Sequence, residues 1–184
     1  MSKNNRTVDR IQAVWNILGG EKGVDDFIEG ITHVVRKTVS YIVATFTIPI
    51  DETMSVEDVV KTGNFDTIDE SINSTNFPKL ANGQKLDGIE VFLFHFNKFM
   101  SSESVISEMD KAGYKPANIW IVIYLVIKEP YLQREFPIVA LGSIGLGAFR
   151  PVPSLYEHSS KRFLHLNFFN IGWYGNYCFL AVRK

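Results

Sequence analysis

Cysteine is all but missing from this chain. Cys178 is the only one among 184 residues, so no internal disulfide forms, no thiolate zinc site is completed, and a reducing compartment is expected. Long apolar runs are missing as well. The longest, Ile119 to Ile127, has nine residues, against about 20 for a membrane-spanning helix. The opening Met1-Ser-Lys-Asn-Asn-Arg-Thr-Val-Asp has no apolar core of signal-peptide length. A cytoplasmic chain without a membrane span is therefore expected. Histidine is scarce: the four, His33, His95, His158 and His165, show no metal-ligand spacing. Acids are scarce after residue 136, where Glu157 stands alone, which leaves no carboxylate cluster for calcium. Gly142-Ser-Ile-Gly145-Leu-Gly147 has neither the spacing of a dinucleotide fingerprint nor a clear following helix. No metal and no cofactor is expected.

What is present is the composition of a globular domain, 46% hydrophobic and 21% charged with a net charge of -1. A chain of this length buries roughly 70% of the surface its unfolded form exposes, enough for a core without staples. The small net charge hides an asymmetry. From Pro137 onward Arg150, Lys161, Arg162, Arg183 and Lys184 face one acid, so that segment carries +4 and residues 1–136 carry -5. Complementary faces of one domain, or an anionic ligand or partner at the C-terminal part, both follow from this. Five basic residues spread over 48 positions make no phosphate-tracking stripe, which disfavours nucleic acid.

Periodicity and punctuation divide the chain. Thr7 to Leu18 and Gly23 to Gly30 read as a helical pair. Val39 to Ile50 reads as a strand, and Ser55 caps a short helix through Thr62. Residues 63–88 are polar and turn-rich and read as a long surface loop. Ile89 to Phe96 is a strand with Val91, Leu93 and His95 on one face and Phe92, Phe94 and Phe96 on the other, both covered. A helix runs from Ser101 to Ala112 and closes at Gly113. The segment 117–128 is ambiguous: its Ile and Val content favours a strand, while Pro116 and Pro130 bracket a buried helix. Four short strands follow, at 138–141, 148–155, 163–169 and 178–183, punctuated by glycines.

Two resemblances enter on particular residues. The stretch from Val56 to Lys184, with Asn76-Phe77-Pro78, Gly113-Tyr114-Lys115-Pro116-Ala117 and Gln133-Arg134-Glu135-Phe136-Pro137-Ile138-Val139-Ala140-Leu141-Gly142-Ser143, resembles a large group of bacterial proteins to which no activity is assigned. So does Val14-Trp15-Asn16-Ile17-Leu18-Gly19-Gly20. More distantly, the order of elements is similar to the C-type-lectin-like fold of formylglycine-generating enzymes. There a Gly-aromatic-Arg-Leu-Pro-Thr motif introduces the second helix and a strand ending in Val-Arg closes the chain. Here Gly113-Tyr114-Lys115-Pro116-Ala117 lacks the Leu and has Lys for Arg, and Phe179-Leu180-Ala181-Val182-Arg183 supplies the strand. This resemblance implies an α+β, C-type-lectin-like domain over 31–184 behind a helical pair over 1–30, with 117–128 helical. It does not carry over the oxidase activity, which needs cysteines working together.

The candidate site is the tail, Leu164 to Phe179, where aromatics and amides alternate around Gly172 and Gly175. Tyr and Trp give contact area at low entropy cost and Asn gives adaptable hydrogen bonds. A recognition surface within 143–178 is expected, held by Asn167, Asn170, Tyr174, Asn176 and Tyr177 around a packed Trp173, with a protein or other macromolecule as ligand. Some C-type-lectin-like proteins carry residues diversified by retroelements at their last strands and loops, a process that yields Asn, Tyr, Ser, His and Ile but not Lys, Glu, Gln, Trp or Met. The excluded types make up 33 of 184 residues, so about three would fall in 163–177, and only Trp173 does. Two alternatives stand beside this: an enzyme using Glu157, His158 and His165, and an assembly protein buried through Ile119–Ile127.

Overall fold

The computed structural model describes residues 41–146 and 150–184, together with Lys22 and Asp26. The chain divides into two units, Met1–Ser40 and Tyr41–Lys184. The helical pair expected over 7–30, and its boundary at 30, lie outside the described residues, apart from the helical Lys22 and Asp26.

The second unit is α+β. Its elements are β1 (Ile42–Asp51), α1 (Val56–Thr62), β2 (Thr67–Ile68), β3 (Lys85–His95), β4 (Met100–Ser101), α2 (Ser102–Lys111), β5 (Tyr114–Pro116), α3 (Ile119–Lys128), α4 (Leu132–Glu135), β6 (Ile138–Val139), β7 (Pro151–His158), β8 (Lys161–Phe168), β9 (Gly172–Trp173) and β10 (Cys178–Arg183). An eight-stranded sheet runs in the order β1-β3-β10-β6-β7-β8-β2, with β5 paired to β10, and β4 with β9 forms a separate two-stranded ladder.

Strict alternation along β3 and β10 splits the core in two. Val91 and Leu93 of β3, with Cys178 and Leu180 of β10, join the cluster that holds α1 and α3. Phe92, Phe94, Phe179 and Ala181 join the cluster that holds α2 and Trp173. Helices therefore cover both faces, which is why these strands read as nearly continuous apolar runs. β1 is the outer strand, and its ladder with β3 slips at Ile48/Ile50. Pro49 sits at that slip, a place where a missing N–H is tolerated.

The ambiguous segment is the helix α3. Asn118 caps it, its Oδ1 accepting from Ile121 N at 3.0 Å, and Ser143 Oγ accepts from Ile119 N at 2.9 Å. Seven of its ten residues are buried, as expected of a helix apolar on all sides that packs between β1 and α1. The Gly142-Ser143 pair is thus the support of the helix start. Gly142 N donates to Ala117 O, and a Cβ on Gly142 would lie 2.4 Å from the Pro116 carbonyl oxygen. The apolar surface that an assembly protein would use at Ile119–Ile127 is consumed by the chain's own core.

Two expectations need correction. Residues 63–88 are not a free loop: β2 pairs in parallel with β8, Ile72 and Phe77 are buried, and 85–88 belong to β3. Glu57 pins this segment by accepting from Ser74 N at 2.6 Å and Ser74 Oγ at 2.5 Å, bonds that hold its carboxyl below the usual range. The strand expected at 148–155 is Pro151–His158, with 147–149 outside the described residues. The short β4, β5 and β9 went unforeseen, since two or three residues carry no period.

Candidate functional site

The tail is built outward from Trp173. Trp173 is 1% exposed, and its Nε1 donates to Ser102 Oγ at 2.8 Å. Ser102 is itself buried and donates to the Phe169 carbonyl at 2.6 Å. This chain of two bonds satisfies every polar atom that Trp173 brings inside, and it fastens the tail to the start of α2. Tyr177 packs edge-on against Trp173 with centroids 5.3 Å apart, and Trp173 meets Phe179 at 5.9 Å.

The β4·β9 ladder then decides what faces outward. Met100 pairs with Trp173 and both are buried, so the next positions along each strand, Phe99 and Tyr174, are cross-strand neighbours on the opposite face. Their rings meet edge to face at 5.9 Å, and they are 66% and 71% exposed. Gly172 permits this arrangement. A Cβ there would fall 1.9 Å from Phe99 Cζ, so the bare glycine is the seat over which the Phe99 ring lies. Ile171, just before Gly172, is exposed as well.

Polar groups flank the rings. Asn170 and Asn176 are exposed, and Arg150 Nη1 donates to Asn170 Oδ1 at 3.4 Å while its guanidinium stacks 3.9 Å over the Phe169 ring. His95 Nε2 lies 2.6 Å from the Gly175 carbonyl and ties the loop to β3.

The six expected residues therefore divide. Asn170, Tyr174 and Asn176 face solvent together. Trp173 is the anchor, and Tyr177 is half-buried against it. Asn167 points back into the sheet, Nδ2 donating to Ser154 Oγ at 2.8 Å, and belongs to the scaffold. Phe99 was missed. The signal for it was an aromatic in an otherwise polar run, Asn97-Lys98-Phe99-Met100-Ser101, but its partner is fixed only by the ladder.

The acid-base alternative does not assemble. In the β7·β8 ladder Glu157 faces Arg162, and His165 faces Ser154, which puts Glu157 on the sheet face opposite His158 and His165. Glu157 is held by Arg134 at 2.7 Å, an ion pair without hydrogen-bond alignment, and His165 Nδ1 lies 3.4 Å from Asp69.

Cys178 is buried at the start of β10, and burial pushes its thiol up to about 12. The buried thiol is thereby held in its protonated form, which suits packing and not nucleophilic attack. The native chain at pH 8 is expected to leave a thiol-disulfide reagent unreacted for as long as it stays folded, with stoichiometric reaction in denaturant. Fast labelling of the native chain would contradict the burial.

Among the described residues no group of three or more His, Cys, Asp or Glu converges as a metal site, and no helix is long and apolar enough to cross a membrane. Comparison of the chain with protein-family models, with curated proteins and with solved structures finds no match.

Proposed function

We propose that this is a recognition protein: a C-type-lectin-like scaffold that presents a surface centred on Phe99 and Tyr174 to a protein ligand. The observation that carries the reading is the pair of rings, each about two-thirds exposed, paired across a ladder whose inner face is locked by Trp173 and Ser102. Large aromatics held rigid in water are the residues from which binding hot spots are made, because little side-chain entropy is left to lose. Asn170 and Asn176 supply the adaptable hydrogen bonds beside them.

The distribution of residue types supports a diversified surface on a constant frame. Asn170, Ile171, Tyr174 and Asn176, all exposed, are of types that randomised Asn codons yield, and the one excluded type in 163–177, Trp173, is the buried anchor.

The test is capture of a partner by the full chain, followed by affinity measurement with both proteins purified. Tyr174→Ala and Phe99→Ala are each expected to cost about 2 kcal/mol, roughly a 30-fold loss of affinity, at unchanged melting temperature. Gly172→Ala is expected to act like Phe99→Ala by unseating the ring. Binding that is indifferent to all three substitutions, or no partner at all, would overturn the reading.

A further inference from the structure

A second concavity, of about 640 Å³, lies away from the aromatic surface, and a fork in the sheet produces it. β10 pairs with β3 from Cys178↔His95 to Ala181↔Phe92, then leaves it, and Ala181 to Arg183 pair with Pro116 to Tyr114 of β5. β3 continues back to Lys85 in a ladder with β1 alone. The wedge between the diverging strands is floored by Ile50, Ile89, Ile121 and Val182. Its volume falls within the range of small-ligand sites.

The charges in the wedge are unevenly matched. Glu90 and Arg183 satisfy each other at 3.3 Å. Glu52 is half-buried, and its carboxylate accepts only from neutral donors, Asn118 Nδ2 at 2.6 Å and Gln84 N at 3.4 Å. Lys115, the cross-strand partner of Val182 and therefore on the same face, makes no ion pair among the described residues. One anion and one cation thus line the same cleft without an ion pair to each other or to any other of the described residues.

We propose that this cleft binds a short apolar peptide of two or three residues with both termini free. The terminal ammonium pairs with Glu52, the terminal carboxylate pairs with Lys115, and the aliphatic side chains lie on the isoleucine floor. The backbone edge that β3 leaves without a strand partner between Lys85 and Glu90 offers main-chain groups to an extended ligand. A single amino acid has no peptide group to offer that edge.

Calorimetric titration of the full chain with Leu-Leu and Leu-Leu-Leu tests this, beside free leucine, N-acetyl-Leu-Leu and Leu-Leu-amide. At least one free peptide is expected to bind, free leucine at least tenfold more weakly, and each blocked form at least tenfold more weakly. Glu52→Gln is expected to lose the discrimination against N-acetylation, and Lys115→Met the discrimination against amidation, with melting temperatures unchanged. No heat from either free peptide, equal binding of the blocked forms, or indifference to both substitutions would overturn the proposal. Binding of free leucine as tight as that of the peptides would overturn the assigned length.

Discussion

Replacing Trp173 by Ala is expected to lower the stability of the folded chain by about 4 kcal/mol, and the melting temperature by roughly 10 °C. The loss has two sources. A fully buried indole leaves a cavity among Phe179, Tyr177 and Met100 that a ladder-bound backbone cannot close. Removal of Nε1–H also deprives the buried Ser102 hydroxyl of one partner. Paired substitutions separate the two. Trp173→Phe keeps much of the volume and loses the bond, while Ser102→Ala orphans both the indole N–H and the Phe169 carbonyl, at about 1–3 kcal/mol. The double variant Ser102→Ala, Trp173→Phe is expected to cost less than the sum of the two, because the second change removes the donor that the first left stranded. Urea unfolding with an unchanged slope measures this, and strict additivity would mean that the two residues do not act through one bond.

Replacing Arg162 by Met is expected to cost about 3 kcal/mol, an effect larger than its reading as one of several basic residues of the tail would allow. Its guanidinium donates to the carbonyls of Gly63, Asn64 and Val126 and to Gln133 Oε1, at 2.9 to 3.3 Å. Its backbone N–H donates to Asp66 Oδ2 at 2.7 Å, and its guanidinium carbon lies 5.1 Å from the Phe65 ring centroid. One planar fork thus gathers the end of α1, the last turn of α3 and the helix α4 onto β8. Partial burial lowers its pKa from the ordinary arginine value, yet leaves it charged at any pH the fold survives. Arg162→Lys is expected to recover less than half of the loss, since a single ammonium does not reach four acceptors set around a plane. Full rescue by Lys would show that charge rather than the fork is what matters.

Arg162 also marks where legibility in the sequence stops. The strands rich in β-branched and aromatic residues, the Ser55 and Ser101 caps and the two faces of 91–96 follow from local patterns, because each is set by residues a few positions apart. The helix α3 does not: apolar on every side, it has no stripe to reveal its period, and the serine that holds its first N–H lies 24 positions away. The segment 63–88 reads as loop for the same reason, since Arg162 organises it across nearly a hundred residues. Of the site, Asn170, Tyr174 and Asn176 were visible as composition. Phe99 was not, because its pairing depends on a ladder, and Asn167 shares that composition although its place in β8 turns it toward Ser154. The cleft at Glu52 and Lys115 had no sequence signal, drawn as it is from segments that meet only when the sheet forks.

The place of β10 in the sheet bears on how the molecule is made. Its six residues, the last strand described, join the β1·β3 pair to the run β6·β7·β8. Until residues 178–183 are seated, β3 and β6 each keep an unfilled edge where β10 belongs. Folding therefore waits for the end of this segment and then closes contacts distant in sequence, the slow regime for β-rich topologies. A partly folded chain in which β10 is not yet seated is expected to present both of those edges to pairing with other chains.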